Sequence, residues 1–397
     1  MLGLGNALNT SSSANEQQYS LLLDGVNDWL DIGDNWDPGT DDFAISLWFK
    51  ADSDSGTADI LFSKFVDNDN KIEIGINGSN KLFAQAVAST SNAINNTAAT
   101  ELDALGLNWI HVVLTMDRDG NGKLYVNGST STYGISMSSQ NNTQNLNNTG
   151  DIYIGARSDN NLDFPGKIDE VAIWQAADLS SFDEDAALAV YNSGKPFDLN
   201  YDRGDYHHSS NLYGYWRMGN GRFDDKVNGI VHDAHNPGYG SELWDGATDS
   251  TMADNWQDWG NNVDEYDAAT QAVKITYVDN TSGAYIYLRD AKDMNTNLVV
   301  GCIYKIKFRT KTNSGGSITW AVSKSSEPTY SASDVTSTEF IEQEIFFVAT
   351  HETHHYFWVQ LASGEIAWVK DISITKLNGY PGITSSENMF SADTPDD

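Results

Sequence analysis

The sequence predicts an all-β protein made of two β-sandwich domains, with one short helix after the first. Short segments of alternating residue character recur along the chain, and residues 43–50 show this pattern clearly. An alternation with a period of two is typical of a strand. Asp-Gly and Asn-Gly pairs separate many of these segments and indicate tight turns. Short strands at regular spacing, with turns between them, favour a sandwich.

The charge of the chain limits its partners. Its 397 residues include 56 Asp and Glu but 23 Lys and Arg, which gives a formal net charge of −33 at pH 7. Such a charge keeps a protein soluble and repels polyanions, so nucleic acid and anionic membranes are not expected as partners. Two explanations of the charge stay open. One is solubility, including adaptation to salty water that screens self-repulsion; the other is an acidic surface that gathers divalent cations.

The cysteine content and the N-terminus indicate a protein that folds in the cytosol. Cys302 is the single cysteine, so no intrachain disulfide can form. Residues 1–18 contain no Lys or Arg and no apolar stretch of signal-peptide length. No segment approaches the length of a membrane span. We therefore expect an unexported protein without membrane contact.

The first domain is predicted over residues 19–240, after an N-terminal arm of residues 1–18. A helix is expected to open at Ser181, because Ser181 and Glu184 have the spacing of a capping box. Residues 211–221 (NLYGYWRMGNG) are expected to form an aromatic strand that closes the domain. Further strands are predicted at residues 72–76, 82–86, 110–115, 123–126 and 152–154.

The second domain is predicted over residues 241–377 and is followed by a C-terminal tail, residues 378–397, rich in Ser and Asp. It opens with a Trp-rich segment. Its strands are expected in the segments VKITYV, AYIYL, LVVGCIYKIKFRTKT, SITWAVS, FIEQEIFFVAT, HHYFWVQLA and IAWVKDISITKL.

Several segments of the first domain together resemble a known family. They read YSLLLDGVNDWLDIG from Tyr19, FAISLWFKAD from Phe43, NWIHVVLTMDRDGNGKLYVNG from Asn108 and GDIYIGARSDNNLDFPGKIDEVAIW from Gly150. In this order they resemble the laminin G-like, concanavalin A-type jelly roll, in the bacterial and phage form that begins with LDGVND and closes with KIDEV. The resemblance covers residues 19–200 and implies a sandwich for surface recognition.

The second domain resembles a jelly roll of the carbohydrate-binding-module type. In that pattern a Leu, Gly, Tyr and Phe series precedes the middle strands, and a segment like VKDISI closes the fold. The trailing GYWRMG segment of the first domain is similar to one found in phage proteins. Together the two domains resemble structural proteins of marine tailed phages.

The resemblance implies a structural calcium site. In jelly rolls of this type, an acidic residue on the last strand helps to hold calcium together with main-chain oxygens near the first strand, and Asp169 of KIDEV is the matching residue. Asp24, at the end of the opening strand, is a candidate neighbour. Hard oxygen ligands suit calcium. The alternative is an Asp that is hydrogen-bonded at a strand corner.

Two other motifs are interpreted as turns. His351 to His355 satisfies H-E-x-x-H, which binds zinc on a helix, but its flanks are strand-like, and on a strand the two histidines would lie roughly 13 Å apart. No zinc is therefore expected. Asp117 opens a segment that resembles an EF-hand loop, but Gly128 stands where the bidentate Glu is needed.

Catalysis is not expected. The first domain has no set of carboxylates at the spacing of the glucanases, and Asp169 and Glu170 are adjacent, so on a strand they point to opposite faces. Sugar binding requires aromatic platforms beside polar groups, because sugar C–H faces stack on rings. Aromatic residues near polar loops are the candidates: Trp36, Tyr133, Trp256, Trp259, Tyr330 and Tyr356.

These features predict a non-enzymatic virion protein of a tailed phage. It would be exposed on the particle, as a capsid decoration or a tail or fibre component, and its loops would meet host or environmental glycans. Other virion proteins and further copies of the chain are the expected partners. The alternative is a bacterial cell-surface adhesin or an accessory carbohydrate-binding module.

Overall fold

The computed structural model describes residues 18–52, 56–88, 94–97, 108–120, 122–129, 135–136, 144–159, 162–246, 252–258, 263–277, 283–289, 293–313, 316–323, 330–331, 335–386 and 389–395. The chain forms two compact units. The first comprises Met1–Pro237 together with Gly379–Asp397, and the second comprises Gly238–Asn378. The predicted N-terminal arm, except Gln18, lies outside the described residues.

The strands before the second unit are, in chain order, β1 (Ser20–Asp24), β2 (Leu30–Gly33), β3 (Asp42–Ala51), β4 (Asp59–Asp67), β5 (Asn70–Ile76), β6 (Leu82–Ala88), β7 (Ile94–Thr97), β8 (Ile110–Met116), β9 (Gly122–Val126), β10 (Ile135–Ser136), β11 (Ile152–Ile154), β12 (Pro165–Ala176), β13 (Leu212–Trp216) and β14 (Ile230–Val231). One α-helix, α1 (Glu184–Tyr191), follows β12. Short 3₁₀ helices span Asn192–Gly194 and Ser209–Asn211.

The second unit contains β15 (Tyr239–Glu242), β16 (Gln257–Asp258), β17 (Val263–Asp267), β18 (Ala272–Thr276), β19 (Gly283–Tyr287), β20 (Ile303–Thr312), β21 (Thr319–Ser323), β22 (Tyr330–Ser331), β23 (Ile341–Val348), β24 (Tyr356–Gln360) and β25 (Ile366–Leu377). A 3₁₀ helix spans Met252–Asn255. The chain then returns to the first unit with β26 (Gly382–Thr384) and β27 (Phe390–Ser391).

Each unit has two antiparallel sheets. In the first unit, sheet A has the order β10-β9-β8-β3-β12-β1-β27 with β13 paired to β12, and sheet B has the order β14-β26-β2-β11-β4-β5-β6-β7. In the second unit, sheet C has the order β17-β18-β25-β20-β23 with β15 paired to β25, and sheet D has the order β16-β19-β24-β21-β22. The all-β prediction is confirmed. None of the described helices is both long and apolar enough to cross a membrane.

Sheet A is buried on both faces. Phe43 and Ile45 of β3 pack into the core that sheets A and B share. Ala44, between them, belongs to a second apolar cluster, which also includes Trp174 of β12 and residues of α1 and its flanking loops. This cluster covers the face that an isolated two-layer sandwich would expose. The fully buried run of β3 therefore reflects three layers at this position.

The helix begins two residues later than the proposed capping box. Asp183, rather than Ser181, is the N-cap, and its side chain accepts hydrogen bonds from the backbone N–H groups of Asp185 and Ala186. An aspartate is as good an N-cap as serine, and its negative charge also complements the helix dipole. The helix ends at Asn192, which adopts a left-handed conformation with φ of 45°.

The C-terminal segment is part of the first unit. β26 lies between β2 and β14, and β27 pairs with β1. The prediction of a C-terminal tail over residues 378–397 was therefore wrong. Asp393 follows β27 and contacts two other strands and a loop: Lys50 Nζ lies 2.7 Å from its carboxylate, Lys167 Nζ 3.7 Å, and the indole N–H of Trp109 donates to it at 2.9 Å. Polar composition did not reveal these long-range contacts.

Asp31 makes the stability of the first unit depend on pH. Burial, together with the nearby Asp151, raises the pKa of Asp31 to about 7, although a hydrogen bond from Gly33 N–H opposes the shift. A raised folded-state pKa adds stability at low pH that is lost as pH rises from about 4 to about 7. The variant Asp31→Asn should therefore gain stability over the wild type as pH rises, by roughly 2–4 kcal/mol above pH 7.

Urea unfolding at pH 5, 6, 7 and 8 measures this difference. Asp69→Asn, in an exposed turn, is the matched control and should show no comparable trend. A constant difference between Asp31→Asn and the wild type across this range would contradict the assignment.

Candidate functional site

The exposed side of sheet D carries a group of aromatic side chains. Along β24, Phe357 and Val359 belong to the apolar core of the second unit, so Tyr356 and Trp358 lie on the opposite side of the sheet. Along β19, Ile286 is in the core. Tyr285 and Tyr287 alternate with it and lie on the same side as Tyr356 and Trp358, because Tyr285 pairs with Trp358 and Tyr287 pairs with Tyr356. We call these four residues the aromatic face.

The three tyrosine rings of the aromatic face contact one another. Tyr356 meets Tyr285 edge to face, with ring centroids 5.4 Å apart and an interplanar angle of 90°. Its ring centroid lies 5.0 Å from that of Tyr287. Edge-to-face contacts at these distances fix the orientation of the rings. Tyr287, Tyr356 and Trp358 are partly exposed, whereas Tyr285 is 9% exposed.

Polar groups surround these rings. The indole N–H of Trp358 donates to the hydroxyl of Ser323 at 2.8 Å, and Tyr285 Oη donates to Gln257 Oε1 at 3.3 Å. Gln360 lies beyond Trp358 on the same side of β24 and is exposed. The guanidinium of Arg289 lies over the ring of Tyr287, 4.3 Å from its centroid. The face therefore combines stacking surfaces with amide, hydroxyl and guanidinium groups, which suits a polyhydroxylated ligand.

Of the six aromatic candidates from the sequence, Tyr356 lies on this face. Trp36 and Trp256 are buried core residues, 1% and 6% exposed, so their prediction as platforms was wrong. The indole N–H of Trp36 donates to Gln175 Oε1 at 2.9 Å, and the ring of Trp256 packs edge to face on Trp320. Tyr133 and Trp259 lie outside the described residues, and Tyr330 lies in β22 with a side chain that is also outside them.

Sequence reasoning missed Tyr285, Tyr287 and Trp358. A usable signal was present, because aromatic residues stand at alternate positions in AYIYL and YFWVQ. On one strand, alternate residues share a face. Since the intervening Ile286 and Phe357 are apolar, the local pattern did not show which of the two faces was the core.

The structure does not bring the two calcium candidates together. Asp24 pairs with Pro165 on β12, four positions from Asp169, so the two α-carbons are separated by roughly 13 Å along the strand. Asp24 is exposed, and its side chain accepts hydrogen bonds from the backbone N–H groups of Val26 and Asn27. Asp169 is fully buried, and its Oδ1 accepts a hydrogen bond from Glu170 N–H.

The KIDEV segment forms a buried charge network. The register between β12 and β3 shifts after Asp169, and Glu170 adopts a positive φ of 49°. Glu170 is 2% exposed and its carboxylate lies 2.9 Å from Arg217 Nε, while Tyr215 Oη donates to the same carboxylate. Burial lowers the pKa of Arg217, but Glu170, with smaller contributions from Asp198 and Asp169, outweighs this effect and leaves the pKa above its ordinary value. These acidic residues thus stabilise one buried guanidinium.

The H-E-x-x-H segment and the segment that begins at Asp117 both lie in connections between strands. His351 to His355 fall in the connection between β23 and β24, where His355 is buried and its Nε2 accepts a hydrogen bond from Thr350 N–H. The rings of His351 and His355 are 6.4 Å apart, closer than the 13 Å expected for a strand, because the chain bends here. Asp117 begins the turn between β8 and β9. No group of three or more ligating side chains that could hold a metal ion occurs among the described residues.

Comparisons with known proteins support the fold of the first unit. Residues 24–180 match the laminin G model described as the concanavalin A-like lectin/glucanases superfamily. No curated protein matches the chain.

Solved structures give distant likenesses. A heptameric SAP-like pentraxin from Limulus polyphemus is 15% identical, with 44% of this chain and 82% of that chain covered and a TM-score of 0.34. The CBM22-1 xylan-binding domain of Paenibacillus barcinonensis Xyn10C is 11% identical, with 36% and 96% covered and a TM-score of 0.28. A family 29 carbohydrate-binding module is 13% identical, with 35% and 88% covered and a TM-score of 0.26. At these scores the likenesses carry no argument about function. The family match shows that residues 24–180 of the first unit are similar to the concanavalin A-like lectin/glucanases superfamily.

Proposed function

We propose that this protein is a non-enzymatic glycan-binding protein and that the aromatic face of its second unit binds a neutral oligosaccharide. The observation that carries the proposal is the clustering of four aromatic side chains on the exposed side of sheet D. A sheet face is rigid, so its rings can be held ready for a ligand at little cost in conformational entropy. The lectin-type family match of residues 24–180 supports recognition as the role of the chain.

The chemistry of the face favours binding over catalysis. Its described polar neighbours include Ser323, Gln257, Gln360 and Arg289, and the buried Asp293 accepts a hydrogen bond from Tyr287 N–H. Hydroxyl and amide groups give directional hydrogen bonds to sugar hydroxyls, whereas glycoside hydrolysis requires a pair of carboxyl groups about 5–10 Å apart around the scissile bond. This supports the non-enzymatic part of the proposal.

The resemblance to marine tailed-phage structural proteins supports a location for this activity. We propose that the protein is exposed on a virion, where other virion proteins and further copies of the chain are its partners. Co-purification of the protein with phage particles tests this proposal.

A structural calcium ion in the first unit remains a prediction. If it is bound, removing it with EDTA should lower the melting temperature of that unit.

Trp358 is expected to contribute strongly to glycan binding. A glycan array that includes cello-, xylo- and manno-oligosaccharides identifies the ligand, and calorimetry then gives its affinity. Trp358→Ala should weaken binding at least tenfold, which corresponds to about 1.4 kcal/mol, because the largest partly exposed ring of the face is lost.

Trp29→Ala is the matched control, since Trp29 is a partly buried tryptophan of the first unit and belongs to neither proposed binding site. It should retain the wild-type affinity for the neutral ligand. An array without any bound neutral glycan, or equal losses in the two variants, would contradict the proposed site.

A further inference from the structure

A row of cationic side chains crosses the exposed side of sheet C. On β20, Ile306 and Phe308 are in the core, so Lys305, Lys307, Arg309 and Lys311 point away from it. Neighbouring members of this row are spaced by about 6.5–7 Å along the strand. In a chain with a net charge of −33, such a row on a central strand is unexpected.

One half of the row is neutralised. Lys305 Nζ lies 2.6 Å from Glu344 Oε1, and Lys307 Nζ lies 2.9 Å from Glu342 Oε2. Both glutamates belong to β23, the strand next to β20. These pairs account for two of the four cations as ordinary surface ion pairs.

The other half of the row, Arg309 and Lys311, gathers around an aromatic ring together with Lys370 of the neighbouring strand β25. Lys370 Nζ lies 4.2 Å from the ring centroid of Phe340, Lys311 Nζ 5.1 Å and Arg309 Cζ 5.9 Å. Lys311 also lies over the ring of Trp368, at 4.8 Å. We call Arg309, Lys311 and Lys370, with these two rings, the basic cluster.

Few carboxylates lie near the cations of the basic cluster. Arg309 lies 3.9 Å from the exposed Asp371. In the described part of the chain, neither Lys311 nor Lys370 has a carboxylate within 4.0 Å; Lys370 Nζ instead donates to the backbone oxygen of Thr270. The cation–π contacts stabilise the cluster, and mutual repulsion of the cations opposes them. An anion bound between Lys311 and Lys370 would remove this repulsion.

We propose that the basic cluster binds the carboxylate or sulfate group of an acidic glycan. The inference rests on the proposed function, because it assigns a second class of sugar ligand to the same unit, on the other sheet. The two ammonium groups bind the anion, while the rings of Phe340 and Trp368 supply apolar contact for sugar C–H groups. At physiological ionic strength the Debye length is about 8 Å, so the cluster acts on nearby ligand groups despite the net charge of the chain.

Charge density favours a glycan over a nucleic acid. Duplex DNA carries one negative charge per about 1.7 Å of helix axis, and it would also approach Glu342, Glu344 and Glu265, which lie on flanking strands of the same sheet. An acidic glycan carries about one charge per sugar ring, so a single anionic group can occupy the cluster without bringing others against the glutamates.

Affinity electrophoresis and calorimetry with the full-length protein test the proposal. The probes are alginate for a carboxylate, dextran sulfate for a sulfate, neutral dextran, and oligo(dT). We expect binding of alginate or dextran sulfate that weakens with added salt. The double variant Lys311→Gln/Lys370→Gln should reduce that affinity at least tenfold. Lys195→Gln/Lys226→Gln, on the first unit, changes the net charge equally and should leave the affinity within about twofold.

The two binding activities are measured separately. Lys311→Gln/Lys370→Gln should retain the neutral glycan identified on the array, and Trp358→Ala should retain the acidic glycan. Absence of binding to both acidic glycans, oligo(dT) binding of equal strength, or insensitivity to the Lys311/Lys370 substitutions would overturn this inference while leaving the neutral site intact. If the wild-type protein binds an acidic glycan but no neutral glycan, the result would contradict the proposed function and leave this inference intact.

Discussion

Replacing Glu170 with glutamine is expected to lower the free energy of unfolding of the first unit by about 3 kcal/mol. Glu170 and Arg217 form an ion pair with N–O distance 2.9 Å, and their side chains are 2% and 7% exposed. Glutamine keeps the shape and part of the hydrogen bonding, but it leaves the guanidinium without its nearest counter-charge. An unpaired buried charge is costly because it has lost its hydration.

Urea unfolding of the full chain, followed by tryptophan fluorescence, measures the loss. Glu170→Gln/Arg217→Met should be less destabilised than Glu170→Gln, because the double variant has no unpaired cation. The more exposed pair of Arg157 and Asp159, with side chains 17% and 38% exposed, provides the control, and Asp159→Asn should change the stability by less than about 1 kcal/mol. An effect of Glu170→Gln as small as that of Asp159→Asn would show that the buried pair does not stabilise the unit.

Ending the chain at Asn378 is expected to lower the melting temperature of the first unit by more than about 10 °C. The truncation removes β26 from its place between β2 and β14, and it removes β27 from the edge of sheet A. It also removes Met389, which is 2% exposed, and the carboxylate of Asp393 that pairs with Lys50. Buried apolar surface and strand pairing are both lost.

Differential scanning calorimetry resolves this effect if the two units melt separately. The second unit should keep its own transition, because Gly238–Asn378 forms a compact unit with its own core. Ending the chain at Pro395 is the control and should leave both transitions unchanged. A first-unit transition that stays within about 2 °C of wild type after removal of residues 379–397 would contradict the assigned role of the segment.

Much of the fold was predictable because strands have a local signature. The predicted strand at residues 110–115 corresponds to β8, and the predicted strand at residues 152–154 coincides with β11. In the second unit, IAWVKDISITKL coincides with β25. Alternation and turn residues are properties of neighbouring positions, so they can be recognised without any knowledge of the tertiary structure.

The site was predictable only in part. The sequence analysis chose Tyr356, which lies on the aromatic face, but it chose Trp36 and Trp256 over Trp358, although all three are tryptophans near polar sequence. They differ in burial: Trp36 and Trp256 lie in the core, whereas Trp358 lies on the side of its sheet that faces away from the core. That depends on packing between distant segments, and the sequence pattern around each tryptophan does not encode it.

The amino-acid sequence alone predicted the strand-and-turn pattern, two sandwich domains and the resemblance of the first domain to a laminin G-like jelly roll. The tertiary fold returns the C-terminal segment to the first unit, pairs Glu170 with the buried Arg217, and places four aromatic side chains on the exposed side of sheet D. These features depend on residues that are distant in sequence. Strand formation follows local periodicity, whereas register and burial are set by contacts between residues far apart in the chain.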